Sequence, residues 1–168
     1  MPFAADILNR KTTRFVLWSP RPQAQLPVLV IGRLRPGNPP TVADPRRIAL
    51  AAALEDGLFE IAAAKCGLDP DVVYHYWFEV DESRSTEQPP RRIAVTDPFA
   101  CCVDWRVFPP DATDARQPAA VVKHVGGGQL AEADPGGESE ISRPRQTAIS
   151  RSWSTPAIGS GSGSSSTW

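Results

Sequence analysis

His75, Trp77 and Glu79 occupy alternate positions in His75-Tyr76-Trp77-Phe78-Glu79. On an extended chain they project from one face. That trio suggests the chemistry of sugar recognition. An indole face stacks on a pyranose ring through CH–π contact and dispersion, while imidazole and carboxylate hydrogen-bond the hydroxyls. The same residues are poorly placed for acid–base catalysis. His75 and Glu79 would stand roughly 13 Å apart along a strand rising about 3.3 Å per residue, too far for a hydrogen bond. A second reading of Trp77 is the favoured one: the indole packs under a loop or against a missing neighbouring domain, since exposed aromatic patches mark interfaces.

The element that positions the trio is a strand over residues 72–80. Val72, Tyr74, Tyr76, Phe78 and Val80 form its core face; Val73, His75, Trp77 and Glu79 form a face expected to be at least half wet. A polar stretch, 81–90, leads to a second strand over 91–95, which reads as an antiparallel hairpin. Upstream, residues 13–18 alternate as a strand stopped by Ser19-Pro20-Arg21-Pro22. The β-branched run 28–31 suits a strand buried on both faces. Residues 46–66 are rich in Ala, Leu and Glu. Propensity alone predicts a helix there; Gly57 interrupts it, which favours a helical turn over 47–55 and a strand over 58–62. Val103, Trp105 and Val107 alternate as a further strand with Trp105 in the core, and Trp18 closes the end of its own strand. Residues 121–125 read as an edge strand before Gly126-Gly127-Gly128.

Other chemistry-bearing residues have structural readings. Asp97-Pro98 is a turn initiator whose carboxylate caps its own backbone. His124 beside three glycines lacks the Lys-Ser/Thr of a phosphate loop. Cys66, Cys101 and Cys102 form no disulfide framework, and adjacent Cys101 and Cys102 point to opposite faces, so buried free thiols are expected. No metal or cofactor is expected. Lys and Arg number 18 against 19 Asp and Glu in 168 residues. That balance gives no field to attract nucleic acid or an anionic membrane, so neither is expected as a partner. No apolar run approaches the roughly 20 residues of a membrane span, and residues 1–11 lack the apolar stretch of a secretory signal. A cytoplasmic location follows as the expectation. Eighteen prolines and twelve glycines favour short strands and turns. The expected organisation is an arm over 1–9, a β-sandwich module over 10–125, and an unordered Gly/Ser/Pro-rich tail over 126–168.

Three segments resemble a known family. Thr13-Arg14-Phe15-Val16-Leu17-Trp18-Ser19-Pro20 is similar to the opening F-x-x-W-x-P strand of the isoamylase-type N-terminal domain, the early-set sandwich also classed as carbohydrate-binding module family 48. Tyr74-His75-Tyr76-Trp77-Phe78-Glu79-Val80 resembles its Y-x-Y-x-F-x-V strand. Arg92 to Ala100, ending Thr96-Asp97-Pro98-Phe99-Ala100, resembles its R-x-x-x-x-D-P-[YF]-A segment. The motifs stand in the family's order over about residues 10–108. The resemblance implies an all-β, immunoglobulin-like sandwich of about seven strands. It also implies a non-catalytic module that binds or positions α-glucan of the starch or glycogen type. Such modules precede the catalytic barrel of α-amylase-superfamily glycoside hydrolases, so the implied partners are an α-glucan, bound weakly through Trp77, His75 and Glu79, or a barrel domain docked on the Trp77 face without sugar. About 60 residues follow the last motif, against the roughly 250 of a (β/α)8 barrel. The barrel's Asp, Glu, Asp set therefore has no counterpart here, and the chain is expected to stop short of it, by truncation or by a frame error after Gly136.

Overall fold

The strand carrying the aromatic run is the central strand of the larger sheet. In a computed structural model, which describes residues 4–110 and 116–134, the elements run α1 (Ala4–Arg10), β1 (Arg14–Trp18), β2 (Val28–Arg35), β3 (Thr41–Ala49), β4 (Ala51–Ala52) and β5 (Leu58–Ala62). A short 3-10 turn (Ala63–Lys65) follows, then β6 (Val72–Asp81), β7 (Arg92–Val95), β8 (Val103–Asp104), β9 (Ala119–Gly126) and β10 (Gln129–Ala131). All pairings are antiparallel. One sheet has the order β1-β5-β4; the other runs β10-β9-β6-β2-β3, with β7 added to β6 and β8 to β9.

Both edges of β6 are occupied. On one side β2 pairs from Val28↔Glu79 to Gly32↔His75. On the other, β9 takes residues 72–76 and β7 takes 78–81. Alternating aromatic and β-branched residues fit this doubly paired position. The inward set Tyr74, Tyr76 and Phe78 meets Phe15 and Leu17 of β1 and Leu29 and Ile31 of β2, so the main core is shared by the two sheets. On the outer side of the small sheet, Ile7 of α1 packs with Val16 and Leu58. The segment expected as an arm thus contains a helix with one buried anchor, Ile7.

Several expectations are borne out locally: the β5 strand at its expected residues, the β6–β7 hairpin, and continuous burial over Leu29–Gly32 in β2. Others are corrected. The helical turn over 47–55 is extended chain, β3 followed by β4. Asp44 sits at φ 39° before Pro45, and β3 pairs with β2 along most of its length; ladder pairing and a buried Leu50 prevail over Ala-rich propensity. The strand at 103–107 is only Val103–Asp104. Trp105 turns outward at 64 % exposure, while Val107 folds inward. The expected edge strand at 121–125 is β9, paired on both sides, and β10 lies where the tail was expected to begin. The rest of that tail, 135–168, falls outside the described residues. No helix among the described residues is long and apolar enough to cross a membrane.

Candidate functional site

The face of β6 expected to be wet is a second core. Trp77 is 3 % exposed, enclosed by Val30, Ala94, Val107 and Ala119. Its Nε1 makes no hydrogen bond among the described residues. No sugar ring can stack on it in this fold; the packing reading, under a loop, describes it. The cause is long-range: Val107, three residues past β8, and Ala119, the first residue of β9, close on the indole.

His75 is sealed beside it at 1 % exposure, with Nε2 donating to Asp104 Oδ2 at 2.9 Å. Asp104, itself 2 % exposed, also accepts from the Arg106 guanidinium at 2.8 and 2.9 Å and from the Arg106 backbone N–H at 3.0 Å. Burial alone would raise this carboxyl, but the bonds from Arg106 and His75 outweigh it and hold the pKa at about 2. Glu79 is engaged too: Arg47 of β3 clamps both its oxygens, Nη1 to Oε1 at 2.6 Å. The structure therefore keeps His75, Trp77 and Glu79 on one face, as their spacing requires, and gives each a partner inside the protein or a place in its core.

Asp97 caps its own turn as expected, accepting the Phe99 N–H at 2.8 Å. It also does more, because its other oxygen accepts the Tyr76 hydroxyl at 2.7 Å and pairs with Lys11. Burial and the adjacent carboxylate push the Tyr76 hydroxyl well above its ordinary pKa, so it stays a donor. Of the cysteines, Cys66 is buried, and burial lifts its thiol to about 11. Cys101 is exposed, contrary to the expectation, and partial burial of the thiol together with the Glu132 carboxylate raises its pKa. None of the three is an activated nucleophile. Among the described residues no group of three or more His, Cys, Asp or Glu could hold a metal ion.

Among the described residues, two clefts are notable. One, about 430 Å³, lies between α1 and the β9–β10 hairpin and is lined mainly by Leu8, Val121, Val122 and Leu130. Its polar groups are engaged internally: Lys11 and Tyr76 with Asp97, Cys101 with Glu132. The other, about 350 Å³, lies where β1 ends and β5 begins, between Trp18, Pro20, Arg21 and Pro22 on one wall and Asp56 and Phe59 on the other. Its charged groups are free to meet a ligand: neither Arg21 nor Asp56 forms an ion pair among the described residues. Trp18 has a structural reading in the sequence, and Asp56 carries no signal of its own there. The only local signal was an aromatic residue followed by Pro-Arg-Pro; its pairing with Asp56 depends on β1 meeting β5.

Compared with known proteins, the chain matches no family model, no curated protein and no solved structure.

Proposed function

We propose that this chain is a non-catalytic module of the early-set, immunoglobulin-like sandwich type that binds or positions α-glucan of the starch or glycogen class. The observation that carries the reading is the meeting of the three motif segments at one point. Phe15 of the first packs edge-on against Tyr76 of the second, centroids 5.1 Å apart. Tyr76 in turn donates to Asp97 of the third at 2.7 Å. Residues far apart in sequence that resemble one family's signature thus form one interlocked junction, as a shared architecture would require. A non-catalytic role is consistent with the burial of the His75–Asp104 pair between β6 and β8.

Electrophoresis of the intact chain through gels containing glycogen tests the reading, with dextran gels as the control for sieving. Retardation by glycogen alone is the expected result. Equal migration in both gels overturns glucan binding. It would favour the second reading, a module that docks on a catalytic barrel. That reading draws on Trp105 and Phe108, 64 % and 39 % exposed on one turn, with Arg116 stacked on Phe108.

A further inference from the structure

We infer that the α-glucan contact is the cleft at the β1 exit, where Trp18 and Phe59 supply apolar surface and Arg21 and Asp56 hydrogen-bond the hydroxyls of a maltooligosaccharide. The inference rests on the proposed glucan-binding role and moves it to a surface that solvent reaches.

The cleft has the mixed chemistry that a sugar requires. A glucosyl unit offers an apolar CH face and pairs of vicinal hydroxyls, so its sites combine aromatic surface with a few well-placed polar groups. Trp18 and Phe59 are each half-buried, Phe59 against the main core and Trp18 against the outer cluster of Ile7, Val16 and Leu58, and both line the cleft. Arg21 is donor-only and Asp56 acceptor-only, which together suit a hydroxyl that both gives and takes a proton. Of two adjacent acidic residues, Glu55 pairs with Arg10 while Asp56 lines the opening. The volume lies within the range of about 300–1,000 Å³ usual for small-ligand sites.

The walls are fixed before any ligand arrives. Ser19 N–H donates to Gly57 carbonyl at 2.7 Å, extending the β1–β5 ladder into the floor of the cleft. Gly57 takes φ +74°, and a Cβ there would stand 2.4 Å from the Ser19 carbonyl oxygen, so only glycine allows this approach. Ser19 Oγ donates to the Arg21 carbonyl at 3.1 Å and accepts from Gln23 Nε2 at 3.2 Å, while Gln23 Oε1 accepts the Asp81 N–H at 2.9 Å. Pro20 and Pro22 restrict the segment between these ties. A rigid wall loses little entropy on binding, which favours weak ligands such as short glucans.

The test is an NMR titration of isotope-labelled intact chain with maltoheptaose, using cellohexaose as control. Both charged residues are exposed, so Arg21→Ala/Asp56→Ala leaves the core intact, which an unchanged melting temperature verifies. The expected result is saturable shifts at the Trp18 indole N–H and the amides of residues 56–59, with affinity falling about tenfold or more in the double variant. Shifts confined to other residues, or unchanged affinity in the double variant, overturn this site and leave glucan binding standing. No shift anywhere with maltoheptaose overturns both.

Discussion

Trp77 packs against Val30, Ala94, Val107 and Ala119, so truncating it opens a cavity between β6 and the chain that covers it. Trp77→Ala is expected to cost about 3–5 kcal/mol, the usual range for a buried aromatic truncated to alanine. Trp77→Phe keeps most of the ring, removes an N–H with no partner among the described residues, and should cost less than half as much. Urea unfolding of both variants decides the matter. Near-native stability of Trp77→Ala would place the indole outside the core and reopen it as a sugar platform. At this scale the residue type was legible and its environment was not. Alternation assigns Trp77 and His75 to a common face, yet what covers that face depends on Asp104, Val107 and Ala119, all distant in sequence. The same holds for the cleft: Arg21 and Asp56 come to line one opening through the pairing of Trp18 with Leu58.

Pairing geometry governs the elements in the same way. The strand β6 was readable because its aromatic alternation has one consistent solution, Tyr74, Tyr76 and Phe78 inward, and the structure adopts it. The 47–55 segment was not readable as strand, because its alanines carry no period and its fate is set by β2, which pairs residues 47–49, and by β5, which pairs Ala51 and Ala52. Gly32 shows how close that pairing is. The β2–β3 register shifts between Ile31 and Arg33, and a Cβ on Gly32 would stand 2.5 Å from Val42 Cγ1 and 2.8 Å from the Ala43 carbonyl oxygen. Backbone cannot yield as a flexible side chain does. Gly32→Ala is therefore expected to cost about 1–3 kcal/mol through overpacking, measured as a lower urea midpoint with unchanged slope. An unchanged midpoint would mean that β3 can move away from β2 at the bulge without loss.

For the whole molecule, the balanced charge leaves individual buried carboxylates to set the response to acid. Asp104 is the principal one, with His75 facing it from β6 and Arg106 from its own turn. Its folded pKa of about 2 lies below the ordinary 3.8. A depressed carboxyl contributes stability that is present above the unfolded pKa and lost as pH falls through the folded one. The loss therefore belongs between about pH 4 and pH 2, and it amounts to about 2 kcal/mol. Asp81 acts in the same direction: burial would raise it, but the Gln25 and Ala24 N–H groups and Arg92 hold it down. Asp104→Asn separates the two contributions. The variant should be less stable than wild type at pH 7, with the difference shrinking towards pH 2, because protonation removes from the wild type what the substitution has already removed. Thermal unfolding at several pH values reads this directly. Parallel curves at every pH would mean that Asp104 holds its place by shape and hydrogen bonding alone, with its charge contributing nothing to the fold.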